Sequence, residues 1–314
     1  MALIITRTEV VSMGSVITLL FFPGGLFVLL AGMGYEWLDR KIMARMQNRM
    51  GPRWFQPIAD NIKLLSKEEV IPADAQPILF VAFPVMALAG ALTAALYVPI
   101  PGIQPLYSFN GDLIVTVYLL SLFTMCMGLA GANSRGRFSL MGATRTLTQM
   151  FAYEAPFLLA LVGPAIVANS WQISEISTYA ESHWLVFTQP IGFVVALIGL
   201  LGKLELPPFD APEAETEIVA GAMTEYSGRG LAMFHMGRGV ELLVGLTIIT
   251  AFYLGGVANP FWFVIKTLSV LLVLAGCQSL MTRLRIDQTV GLWWRYGAMI
   301  VLVQLLIIIG INII

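Results

Sequence analysis

Long apolar runs separated by short polar segments dominate the chain. Eight runs near 20 residues long fall at about 13–35, 78–98, 112–132, 146–168, 188–204, 231–255, 261–281 and 294–314. Each approaches the length a helix needs to cross roughly 30 Å of hydrocarbon. The fifth is the shortest, with Pro190 near its start. The pattern predicts an all-α polytopic membrane protein of about eight transmembrane helices. It reads as a single membrane domain over residues 1–314, with polar segments at 36–77, 133–147, 203–230 and 282–293.

Two polar segments carry helical signals of their own. "EWLDRKIMARMQNRMGPRW" continues the first run as a helix that Gly51 and Pro52 end. In "WFQPIADNIKLLSKEEV", Trp54, Ile58, Ile62 and Leu65 recur at helical spacing, as in a helix lying along the interface or packed on a partner. The other segment is "LPPFDAPEAETEIVAGAMTEYSG", residues 206–228, with five acidic side chains and no Lys or Arg. Asp210 followed by Glu213 resembles a capping box, and a helix from about 211 to 223 would put Glu213 and Glu217 on one face, with Glu215 roughly opposite. A solvated acidic face is one reading. The apolar setting, with Phe209 before and Ile218, Val219 and Met223 within, points instead to a loop folded back on the membrane domain.

Composition supports the bilayer as solvent. The chain is 58% hydrophobic and 12% charged, whereas soluble domains are about one quarter charged. Arg7 is offset by Glu9 and no small-residue cleavage site follows the first run, so that run is expected to be a retained span and not a signal peptide. Arg40, Lys41, Arg45, Arg49, Arg53, Lys63 and Lys67 lie between the first two runs; Arg135, Arg137 and Arg145 lie between the third and fourth. Arg283, Arg285 and Arg295 follow the seventh, while the alternate loops 99–111, 169–187 and 256–260 hold no Lys or Arg. The positive-inside rule then puts the chain in the cell membrane with both termini outside and the acidic loop cytoplasmic. No nucleic-acid partner is expected.

Cofactor chemistry is poorly provided for. Cys126 and Cys277 are far apart inside predicted spans, and the histidines are His183 and His235 alone. No CxxC or HExxH motif occurs, so no iron–sulfur cluster or zinc site is expected in this chain.

Ionisable groups within spans are costly and each calls for a reason. Glu154 falls in the fourth run; His235, Arg238 and Glu241 fall in the sixth. Arg238 and Glu241 stand at i, i+3 and can pair, a neutralised ion pair that locks two helices together being one reading of these charges. Glu154 has no opposite charge within its own turn, so either a neighbouring helix supplies one or the carboxyl binds a proton. Glu36 sits where the first span meets its polar segment, and Asp112 reads as a helix-start carboxylate at the opposite interface.

Several motifs in order then carry a resemblance: "EWLDRKIMARMQNRMGP" (36–52), "GATRTLTQMFAYE" (142–154), "LPPFDAPEAETEI" (206–218), "TEYSG" (224–228) and "RLRIDQ" (283–288). Along nearly its whole length the chain resembles the H subunit of respiratory complex I, also called NADH dehydrogenase subunit 1. The resemblance implies an eight-span subunit at the joint between a peripheral electron-transfer arm and antiporter-like membrane subunits. It also implies a polar path of carboxylates that links redox chemistry to ion movement. Carried onto matching positions, the path residues are Glu36, Glu154, Asp210, Glu213, Glu215, Glu217 and Glu225. Glu241 joins them from the reading of buried charges, with Arg40, Arg145, Lys203, Arg238 and Arg285 as supporting charges.

Two departures from the quinone-using members matter. Those typically read "ETNRPPFD" and "FFVGEY"; this chain reads "KLELPPFD" and "FHMGRG", with Lys203 and Arg238 where a Glu is usual. In this the chain is more similar to the corresponding subunits of energy-converting membrane-bound NiFe hydrogenases, formate hydrogenlyase and archaeal sulfane-sulfur reductases. The expected role is a ferredoxin-linked coupling subunit that moves protons or sodium. Iron–sulfur clusters and a NiFe centre would belong to peripheral large and small partner subunits. The alternative is a quinone-site subunit, with quinone as its ligand. A stand-alone secondary transporter is a remote third reading, since no inverted repeat is visible.

Overall fold

The computed structural model describes residues 13–257 and 259–313, without the side chains of residues 13–16, 215 and 311–313. Arg7, Glu9 and the Glu215 side chain therefore lie outside the described residues.

The described residues are helical, in the order α1 (Met13–Leu20), α2 (Gly25–Met46), α3 (Gln56–Leu65), α4 (Pro77–Ala95), α5 (Asp112–Asn133), α6 (Arg137–Ala168), α7 (Ile173–Ser182), α8 (Leu185–Thr188), α9 (Pro190–Lys203), α10 (Glu215–Ile218), α11 (Gly228–Tyr253), α12 (Pro260–Leu280), α13 (Ile286–Leu292) and α14 (Ala298–Ile313). Among the described residues, seven stretches are long and apolar enough to cross a membrane. The fifth expected span, α9, is only 14 residues, about 21 Å of helix. It is accommodated by burial against α6, α11 and α14, with Leu200 and Leu201 inaccessible.

Three boundaries differ from the expected ones. The first span breaks at residues 21–24, and its continuation stops at Met46, ahead of Gly51. The fourth is a 32-residue helix, so Arg137 and Arg145 stand on the same rod as Glu154. The last begins at Ile286 and runs through a π-helical turn, Trp293–Gly297.

Helix α11 is the axis of the bundle, with Glu241 to Tyr253 buried without interruption. It crosses α2 where two glycines meet. A Cβ on Gly32 would lie 2.7 Å from the carbonyl carbon of Gly239, so only a residue without a side chain permits this approach. Large apolar residues such as Ile78, Leu280 and Leu306 point outward, as a surface that faces lipid requires.

Candidate functional site: a buried charge ladder

The acidic segment does fold back onto the bundle, with Phe209, Ala214 and Ile218 buried. It does not form the expected helix. Only the four residues of α10 are α-helical, bracketed by Ala214 and Val219 at positive φ (27° and 65°), and Gly221–Met223 forms a separate single 3-10 turn. The expected capping box is also absent: the amide of Ala214 donates to the Asp210 carbonyl at 2.9 Å, while the Asp210 carboxylate turns to Arg283. The reason is electrostatic. Carboxylates stacked on one helical face repel, whereas here Arg145 on α6, Arg238 on α11 and Arg283 between α12 and α13 draw them apart.

Outermost, Arg283 grips Asp210 through two bonds, Nε to Oδ1 at 2.7 Å and Nη2 to Oδ2 at 2.6 Å. Arg145 on α6 donates to Glu217 at 2.8 Å and to the Ala211 carbonyl at 3.2 Å. Deeper, Arg238 on α11 bridges Glu213 and Glu205, the latter at 3.1 Å. Deepest, Lys203 at the end of α9 meets Glu241 on α11 at 3.2 Å. The Lys203 ammonium lies 5.9 Å from the centre of the Tyr153 ring, and Tyr153 precedes Glu154 on α6. Acid and base alternate from the rim to the core.

Two scaffolding contacts hold this geometry. The buried Gln149 amide donates to the carbonyls of Gly202 and Phe209, at 2.9 and 2.8 Å, stitching α6 to both ends of the α9 exit. The amide of Leu284 donates to the Pro208 carbonyl at 2.9 Å, which carries Arg283 to the loop. The Thr146 hydroxyl stands beside the Glu205 carboxylate, while Gln149 Oε1 and Trp293 Nε1 are buried polar atoms of the same region without a protein partner. Burial pushes the Glu205 carboxyl up to about 8, against the opposing pull of Arg238.

The expected site residues thus divide. Asp210, Glu213, Glu217, Glu241, Arg145, Lys203 and Arg238 come together. The Arg238–Glu241 pair that helical spacing allows does not form, because the two side chains diverge toward Glu205 and Lys203. Arg285 is exposed and takes no part in an ion pair among the described residues; Arg283 fills the role expected of it. Glu225 is exposed and stands apart, beside Gly136 at the start of α6. Glu154 is half-buried and has no ion-pair partner among the described residues. Glu36 pairs with Arg40 one turn along α2. Asp112 opens α5 as expected of a helix-start carboxylate, but it is fully buried within the protein and accepts the Ile173 amide at 2.7 Å, tying the loops of that end together.

Two buried carboxylates escape the sequence reading. Glu205 follows Lys203 closely enough to pass as a neutral local pair, although an ionisable group inside "LLGKLELPPF" is itself a signal. Asp39, buried on α2, accepts from Gln278 of α12 at 3.2 Å and is hidden in the sequence among basic neighbours. No group of three or more His, Cys, Asp or Glu among the described residues is arranged to hold a metal ion.

Comparison with known proteins agrees with this architecture. The chain is 33% identical to the H subunit of the NADH-quinone oxidoreductase of Thermomicrobium roseum, over 85% of its length and 88% of that relative. It is 32% identical to the corresponding protein of Carboxydothermus hydrogenoformans, over 86% of this chain and 81% of that one. The fold matches a chain of the membrane-bound sulfane sulfur reductase, an archaeal respiratory membrane complex, with a TM-score of 0.82 at 22% identity, covering 90% of this chain and 96% of that chain. With residues 8–309 matched as well by the family described as NADH dehydrogenase, the chain belongs to that family.

Proposed function

We propose that the protein is the membrane coupling subunit of a complex I-like respiratory complex of the membrane-bound hydrogenase or sulfur-reductase type. In this reading it docks a ferredoxin-linked peripheral arm, whose large and small subunits hold the NiFe centre and iron–sulfur clusters, and adjoins antiporter-like membrane subunits. The acidic loop faces the cytoplasm and the termini face outward.

The observation that carries the reading is the ladder that alternates acid and base from Asp210–Arg283 at the rim to Lys203–Glu241 in the core. A chain of coupled ionisable groups responds as a unit to a nearby change of charge. When an electron arrives in a docked cluster, the field at the loop changes. Proton occupancy of Glu205 shifts, Arg238 redistributes between Glu205 and Glu213, and Lys203–Glu241 passes the change to Glu154. Buried polar atoms left without a protein partner, at Gln149 and Trp293, give internal water hydrogen-bonding sites of the kind proton transfer needs.

Lys203 supports a role without quinone. Where quinone-using relatives carry an acid, this chain has a cation that Glu241 neutralises within the protein. The second reading, a quinone-site subunit, is favoured by the names of the relatives at 32–33% identity.

One experiment addresses the coupling role: the intact complex with Glu154→Gln, reconstituted in liposomes. Electron transfer with ion pumping reduced at least tenfold supports the relay; undiminished pumping refutes it. Stoichiometric inhibition of the unmodified complex by a quinone analogue would replace the first reading with the second.

A further inference from the structure

A cavity of about 260 Å³ lies between α2, α3 and α11. Arg40, Lys63, Lys67, Glu36, Asp60 and His235 line it. Arg40 and Glu36 close on each other. The remaining charges do not. Among the described residues Lys63 and Lys67 have no acidic partner within 4.0 Å, and Asp60 has no basic one, accepting only from Gln56 at 3.1 Å. Asn61 lines the same cavity and is 5% exposed; its amide donates to the Pro57 carbonyl, while its Oδ1 accepts from nothing.

Opposite charges that share a cavity without neutralising one another suit a ligand that itself carries both signs. The outer side of α3 indicates how such a ligand arrives. Trp54, Ile62 and Leu65 are exposed beside the exposed lysines, the pattern of a helix seated among lipid headgroups. We propose that this cavity binds the headgroup of an amine-bearing phospholipid. The phosphodiester lies against Lys63 and Lys67, and the primary ammonium donates to Asp60. The recognition is a charge-assisted set of hydrogen bonds.

The test uses the intact complex, exchanged into nanodiscs of defined lipid and released for native mass spectrometry. Retained phosphatidylethanolamine is expected on the unmodified complex, reduced at least tenfold by K63Q/K67Q and severalfold by either single exchange. D60N is expected to keep the phospholipid but lose the preference for ethanolamine over choline, whose quaternary nitrogen cannot donate. Unchanged retention in K63Q/K67Q overturns the proposal. So does displacement of the lipid by inorganic phosphate at millimolar concentration, which identifies a free-phosphate site, or by a short-chain quinone.

Discussion

Lys203 and Glu241 meet at 3.2 Å with only 2% of either side chain exposed, on helices that both end or pass through the core. Two charges moved out of water in this way cost several kcal/mol each, offset only by their mutual attraction. Removing one partner leaves the other uncompensated. K203M and E241Q are each expected to destabilise the subunit by roughly 3–5 kcal/mol, whereas K203M/E241L, which removes both charges, is expected to lose much less. Thermal inactivation of the purified complex measures this. Additive losses in the double variant would show that the pair is not coupled.

Glu205 makes stability depend on pH. Its carboxyl is raised from 4.5 to about 8 by burial, so the folded chain holds a proton there that the unfolded chain releases. The stabilising contribution is complete below pH 4.5 and is lost as pH rises through about 8. The unfolding midpoint is therefore expected to fall between about pH 6 and 8 in the unmodified protein and to change less in E205Q. An identical pH profile in the two would place the titration elsewhere.

The spans were legible because membrane insertion selects on length and hydropathy, which are local properties. Who pairs with whom was not. Arg238 reaches Glu205 across 33 residues and Arg283 reaches Asp210 across 73, and no periodicity encodes such distances. Helical spacing points Arg238 at Glu241, and the fold overrules it by bringing α9 alongside α11. The acidic helix fails for the same reason: tertiary arginines outweigh a local capping signal. Short α9 reads poorly from sequence because burial against protein, not lipid, relieves it of the full span length.

Arg283 and Arg285 offer a direct comparison between a paired and an unpaired neighbour. Arg283 holds Asp210 through a two-point grip at a site 20–30% exposed, where such geometry retains part of its strength. R283Q is expected to cost about 1 kcal/mol and to increase protease cleavage in the loop at 210–219, while R285Q is expected to leave both unchanged. Limited proteolysis of the purified complex reads the difference. Equal sensitivity of the two variants would remove Arg283 from the anchoring role.

Gly32 and Gly239 bring α2 and α11 close enough that Glu36, one turn further along α2, shares a cavity with His235 on α11. A methyl group at Gly32 would lie 2.7–2.9 Å from the backbone of Gly239 and Val240, and backbone cannot rotate aside as a side chain would. G32A is expected to cost about 1–3 kcal/mol through this overlap. Gly34, two residues on, is the control: nothing lies within 4 Å of a Cβ there, and alanine favours the helix by up to about 1 kcal/mol. G34A is thus expected to be neutral or stabilising. Because the same crossing sets the Glu36–His235 cavity, G32A is also expected to weaken lipid retention there while G34A does not. If both variants behave alike in thermal stability, the close approach of these two helices is not what holds that side of the bundle together.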